Sequence, residues 1–143
     1  MDKNPLIVAL DVADWKEATS LVLNVKEKIK IFKVGLELFL ACGREIVDFI
    51  QKQGCNVFLD LKFFDIPNQV AGAVREISAM NVEMFTVHIL GGSDMMKRVV
   101  SVVNEAFYGK DIAKPKILGV TLLTSFNQSD IISLGFTAEL TKQ

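Results

Sequence analysis

Five short apolar runs recur along the chain, and the stretches between them carry helical spacing. The runs are Leu6–Leu10, Ile31–Val34, Val57–Leu61, Met84–Val87 and Ile117–Leu122. Each is near-continuous instead of alternating, which suits parallel strands covered on both faces. After the first run, Asp14-Trp-Lys-Glu17 reads as a helix start, with Ala18, Leu21, Val22, Val25 and Ile29 on one face. Arg44–Gln53 groups Ile46, Val47 and Ile50, and Val70–Met80 groups Val70, Val74 and Ile77. Asp94–Phe107 groups Met96, Val99, Val100 and Val103.

Strand and helix therefore alternate five times, in units of about 25–30 residues, the length of a βαβ repeat. The 143 residues make one domain. Strict alternation points to α/β, as either an open doubly wound sheet or part of a (β/α)8 barrel. An open sheet predicts a glycine-rich phosphate loop after the first strand, but that segment reads Asp11-Val-Ala-Asp14. Gly91-Gly92 is the only glycine pair, and it reads as a plain turn or as a place of close phosphate approach.

Charge and composition narrow the partners. Sixteen Lys and Arg against seventeen Asp and Glu leave a net charge of -1, so no general grip on nucleic acid or anionic lipid is expected. The longest stretch free of formal charge, Ile117–Ser129, has 13 residues, whereas a membrane-spanning helix needs about 20 apolar ones. Leu6–Leu10 is too short for a signal-peptide core, and the expectation is a soluble cytoplasmic protein. Cys42 and Cys55 are too far apart for a CxxC pair and read as two reduced thiols.

The informative residues are those that end the apolar runs. The first run ends at Asp11, the second carries Lys33 before Gly35, and the third ends in Asp60-Leu-Lys62 with Asp65 three residues on. The fourth ends at His88, and the fifth leads into Thr121, Thr124 and Ser125. Polar groups at the carboxyl ends of parallel strands gather at one rim, where α/β enzymes place their sites. Alternation puts Asp60 and Lys62 on one side of the strand and Leu59 and Leu61 on the other. A single Asp–Lys pair there reads as a structural ion pair at the edge of a core. Five charged groups at one rim read as a site, because ionised groups in so apolar a setting are costly unless paired and used. His88 is equally a hydrogen-bonded strand-end residue or an acid–base group, and Thr124 and Ser125 equally cap the next helix.

Three carboxylates suggest a Mg²⁺ site, but two interleaved lysines oppose dense cation binding. Alternating charges suit a reaction in which a carboxylate leaves and a proton takes its place. An acid beside the leaving carboxylate favours its departure, and an ammonium stabilises the resulting carbanion and then protonates it.

Five segments together carry a family resemblance: Ile7-Val-Ala-Leu-Asp11, Phe32-Lys-Val-Gly-Leu-Glu-Leu-Phe39, Phe58-Leu-Asp-Leu-Lys-Phe-Phe-Asp-Ile-Pro-Asn68, Val87-His-Ile-Leu-Gly-Gly92 and Gly119-Val-Thr-Leu-Leu-Thr-Ser125. In order and spacing the chain closely resembles the orotidine 5′-monophosphate decarboxylase family over essentially its whole length. The resemblance implies a (β/α)8 TIM-barrel fold, here truncated to about five βα units, and a homodimer that decarboxylates a nucleotide in pyrimidine synthesis without metal or organic cofactor. A Mg²⁺-dependent relative acting on 3-keto-gulonate 6-phosphate shares Asp-x-Lys-x-x-Asp, but Ile66-Pro67-Asn68 is similar to the pyrimidine enzyme.

The roles implied by the resemblance follow position by position. Asp11 and Lys33 would hold the ribose hydroxyls, with Lys33 also pairing to Asp60. Asp60 would sit against the substrate carboxylate, and Lys62 would protonate C6. Asp65 would reach across a dimer interface into the partner's site. Ile66 and Gln69 would lie along the substrate, and Ser125 would hydrogen-bond the pyrimidine. Gln69 stands where the family has Thr, so its longer amide either keeps a hydrogen bond to the ribose or obstructs it. The family's phosphate grip, a Pro-Gly loop with Gln and a later Gly-Arg pair, has no counterpart, since Arg44, Arg75 and Arg98 fall on predicted helices. A (β/α)8 barrel typically takes about 250 residues, and Thr137–Gln143 reads as a helix barely begun. Three explanations are open: a fragment of a longer protein, one piece of a two-piece assembly, or a truncated inactive form. The first is the working expectation.

Overall fold

The computed structural model describes residues 6–136. Five strands form one parallel sheet: β1 (Ile7–Leu10), β2 (Ile31–Gly35), β3 (Asn56–Phe63), β4 (Met84–His88) and β5 (Lys116–Val120). All five coincide with the apolar runs to within one or two residues. Their spatial order, β1-β2-β3-β4-β5, is the order of the chain. A doubly wound sheet reverses its strand order at a switch point. This one does not, and so has the topology of a barrel wall.

Among the described residues, six α-helices accompany the sheet: α1 (Trp15–Val25), α2 (Leu36–Cys42), α3 (Arg44–Lys52), α4 (Pro67–Ala79), α5 (Gly92–Phe107) and α6 (Gln128–Ser133). The expected start of α1 is present, with the Asp14 carboxylate accepting from the Glu17 N–H at 3.0 Å. Pro67 opens α4, where its missing N–H costs nothing. Two helices, not one, separate β2 from β3, joined at Gly43, whose φ of 61° favours glycine. The helix expected over Thr137–Gln143 lies outside the described residues.

One face of the sheet makes the core. Leu10, Phe32, Val34, Val57, Leu59, Phe85 and Val87 form a single cluster with Ala18, Val22, Ile46, Val47, Ile50, Val70, Val74 and Ile77 from the helices. The other face is not covered as the apolar runs suggested: Ile31, Lys33 and Phe58 are half-buried, and Ile7 and Leu118 are exposed. The helix faces need two adjustments. Leu21 is exposed on α1, and α5 turns Met95, Val99, Val102, Val103 and Phe107 inward while Val100 faces outward. The 3.6-residue period ties Met95, Val99, Val102 and Val103 into one stripe, and Val100 lies off it.

β3 departs from regular pairing where the polar residues begin. Phe58 and Leu59 stand opposite Met84 and Phe85, but the next partner of β4's Val87 is Phe63. Asp60, Leu61 and Lys62 are thus set against Thr86 alone, and β3 bulges. Lys62 adopts a φ of 49°, a conformation rare outside glycine, asparagine and aspartate.

Candidate active site

At the carboxyl ends of β1, β2 and β3, two ion pairs stand side by side. Lys33 Nζ lies 2.6 Å from Asp11 Oδ1, and Lys62 Nζ lies 2.8 Å from Asp60 Oδ2. Strand register explains the grouping: Lys33 stands between Ala9 and Phe58, so Asp11 and Asp60 come one step further up the same face on either side of it. Gly35 lies between those two acids, and a Cβ there would be 3.7 Å from Lys33 Nζ and 3.9 Å from Asp11 Oδ1. The four charged residues line a cleft of about 260 Å³ with Gly35, Leu36 and Glu37.

Asp60 is the most enclosed of the four, its side chain 13% exposed against 41% for Lys62. Besides Lys62 it accepts a hydrogen bond from the Thr86 hydroxyl, 2.9 Å from Oδ1. The implied pairing of Lys33 with Asp60 is absent among the described residues. Lys33, flanked by both acids, forms its ion pair with Asp11. Asp60 and Lys62 do lie on one side of β3, as alternation suggests, and the bulge falls at these residues.

Thr124 and Ser125 do not cap the next helix. Asn127 does, through a capping box with Asp130, which leaves Thr124 and Ser125 in the preceding loop. There they line a second hollow with Asp60, Lys62, Val120, Leu122 and Leu123, so Ser125 faces the charged pair from the far side. Asp65 and Gln69 lie elsewhere. They share an open hollow with Lys62, Leu36, Phe39, Leu40 and Phe64 between α2 and α4, and Asp65 Oδ1 accepts from the Ile66 N–H at 2.6 Å. Ile66 caps α4 and is exposed. The structure thus gathers Asp11, Lys33, Asp60 and Lys62 around one cleft, sets Ser125 in the adjoining hollow that shares Asp60 and Lys62, and sets Asp65, Ile66 and Gln69 on the outer side of Lys62.

His88 proves to be a hydrogen-bonded strand-end residue. It is 9% exposed, its Nδ1 accepts from the Leu90 N–H, and its ring lies 5.4 Å from that of Phe64. Gly91 and Gly92 make the turn into α5. A Cβ on Gly91 would overlap Met95 Sδ and Cε, and Gly92 has a φ of 83°. Both thiols are held in their protonated form: burial pushes Cys55 up, and burial with the nearby Asp14 and Glu45 carboxylates pushes Cys42 up. Arg44, Arg75 and Arg98 lie on α3, α4 and α5 as expected. Thr86 is the residue the sequence reading missed. Set within a wholly buried strand, it carries no signal of its own beyond being polar among Phe85 and Val87.

A family model described as the orotidine 5′-phosphate decarboxylase / HUMPS family matches residues 4–142. The chain belongs to this family. It is 44% identical over 137 residues to the orotidine 5′-phosphate decarboxylase of Carboxydothermus hydrogenoformans, covering 96% of this chain and 57% of that protein. With the enzyme of the same name from Wolbachia pipientis the figures are 44% over 140 residues, 98% and 59%. Among solved structures, orotidine 5′-phosphate decarboxylase from Lactobacillus acidophilus superposes with a TM-score of 0.75 at 32% identity, over 94% of this chain and 60% of that one. An uncharacterized conserved protein from Geobacillus kaustophilus gives 0.84 at 32% identity, over 94% and 62%. The chain therefore spans a little under three-fifths of these curated relatives, and its five strands are part of the family's TIM-barrel fold. Among the described residues, no helix is long and apolar enough to cross a membrane.

Proposed function

We propose that this chain carries the charged half of an active site that converts orotidine 5′-monophosphate into uridine 5′-monophosphate and CO₂, the last step of de novo pyrimidine synthesis. The observation that carries this reading is the pair of ion pairs, Asp11–Lys33 and Asp60–Lys62, standing at neighbouring strand ends around one opening. Asp11 and Lys33 hold the ribose hydroxyls. Asp60 faces the carboxylate of the substrate and disfavours its charge. The bond between C6 and the carboxylate breaks, CO₂ leaves, and the electron pair stays on C6. The Lys62 ammonium stabilises that pair and then gives it a proton. Ser125 bonds the pyrimidine from the opposite wall. No metal or organic cofactor takes part.

The outer hollow suits a second copy of the chain. Leu36, Leu40 and Phe64 are 57–76% exposed and line the hollow with Asp65 and Gln69, and Ile66, beside Asp65 in the chain, is exposed as well. Covering them would place a partner beside Asp65, which then enters the partner's site, with Ile66 and Gln69 along the shared edge. Phosphate binding ordinarily supplies remote binding energy that is used at the reacting centre, and none of the three arginines lies in the cleft.

The test is loss of orotidine monophosphate absorbance with the purified 143-residue chain beside Lys62→Ala. Turnover that vanishes in Lys62→Ala is the expected result; variant turnover within about tenfold of the parent overturns the role of Lys62. Turnover that is lost on chelation transfers the reading to a Mg²⁺-dependent sugar-phosphate decarboxylase. A folded chain without turnover is only a fragment of the enzyme, and nucleotide binding no tighter than about millimolar favours a non-catalytic assembly partner.

A further inference from the structure

We propose that Thr86 is a positioning residue that sets the geometry of both Asp60 and Lys62. Its functional consequence rests on the decarboxylase reading, while its structural consequence does not. Thr86 is 4% exposed in the middle of β4. Its Oγ1 accepts the backbone N–H of Lys62 at 2.8 Å and lies 2.9 Å from Asp60 Oδ1. A backbone N–H only donates, so the hydroxyl proton is free to point at the Asp60 carboxylate, and no other assignment satisfies both contacts. One side chain therefore fixes Oδ1 of the acid and leaves Oδ2 to the Lys62 ammonium at 2.8 Å.

The bulge makes this side chain necessary. Three residues of β3 stand against Thr86 alone, so the regular backbone ladder between β3 and β4 is interrupted there. The Thr86 hydroxyl supplies the missing acceptor for Lys62 N–H. It also holds Lys62 at a φ of 49°, a conformation that persists only when its surroundings enforce it. Valine has nearly the shape of threonine but neither bond. Serine keeps both bonds and loses only a methyl group. The two substitutions therefore separate positioning from packing.

The experiment compares Thr86→Val and Thr86→Ser with the parent chain in two readouts. In the first, decarboxylation by Thr86→Val is expected to show kcat lowered about tenfold or more with KM within about threefold, and Thr86→Ser to stay near the parent. In the second, hydrogen exchange of the Lys62 amide in ¹⁵N-labelled chain is expected to quicken about tenfold or more in Thr86→Val, to be parent-like in Thr86→Ser, and to leave the amides of β1 unchanged. Should Thr86→Val fail to fold by circular dichroism, Thr86→Ala takes its place with the same expectations. A Lys62 amide as protected in the valine (or alanine) variant as in the parent overturns the proposal. So does a serine variant that behaves like valine. Where the parent chain has no turnover, as a piece of the enzyme would, the amide readout alone decides the role of Thr86.

Discussion

Replacing Lys62 by glycine and, separately, by alanine isolates the backbone contribution of the bulge. Both variants delete the ammonium and its 2.8 Å pair with Asp60, so that loss cancels between them. What remains is the cost of a Cβ at a φ of 49°. A non-glycine residue in this region costs about 1–2 kcal/mol, and glycine elsewhere in a strand is about 0.5–1 kcal/mol less stable than alanine. At an ordinary exposed position of the same strand, such as Asn56, glycine should therefore be less stable than alanine. At Lys62 the order should shift by about 1–2 kcal/mol in favour of glycine, enough to reverse it at the upper part of the range. Urea denaturation followed by circular dichroism reads this directly. With an m-value of about 2 kcal/mol/M, the glycine–alanine difference in midpoint should differ between the two positions by about 0.5–1 M. The same glycine–alanine difference at positions 62 and 56 would refute the claim that the site holds a strained backbone.

Two further perturbations test other parts of the molecule. Gly91→Ala puts a methyl group into Met95, which is fully buried, and should cost about 1–3 kcal/mol by overpacking; combined with Met95→Ala, the loss in a urea titration should be smaller than the sum of the single losses, and strict additivity counts against a packing role for Gly91. Leu40→Asp places a charge among the exposed apolar residues beside Asp65 and should convert a sedimenting dimer to monomer at micromolar concentration, whereas a parent chain that is itself monomeric there removes the proposed shared site.

The strands were legible because runs such as Leu6–Leu10 and Met84–Val87 are apolar without interruption, and the strand-end charges stood out against them. α2 was not legible. Leu36-Glu-Leu-Phe-Leu-Ala-Cys42 is too uniformly apolar to show a helical period, and it follows β2 directly at Gly35. Val100 was misplaced because four apolar residues fall close together in α5, so the stripe is decided by packing on α4 and not by spacing. In the site, Asp11, Lys33, Asp60, Lys62 and Ser125 were readable as polar residues at the ends of apolar runs. The pairing of Asp60 with Lys62 was readable from alternation as well, and that of Lys33 was not. Whether Lys33 takes Asp11 or Asp60 depends on side-chain geometry between strands in register, and the bulge at Asp60, Leu61 and Lys62 depends on pairing with β4. Thr86 belongs to the same class, since a lone hydroxyl within a buried strand shows its use only when the neighbouring strand is in place.

Because spatial order equals chain order, each strand after β1 finds its partner already made when it leaves the ribosome. All four charges of the two ion pairs come from the first 62 residues, on β1, β2 and β3. The hydroxyl that holds the second pair comes 24 residues after Lys62. At about 5–20 residues per second, that gap lasts about 1–5 seconds. During this interval the nascent sheet ends in an edge bearing Asp60 and Lys62 with no strand beside it, and charged edges resist pairing with other chains. The charged residues of the candidate site thus also mark the exposed edge of the half-made sheet.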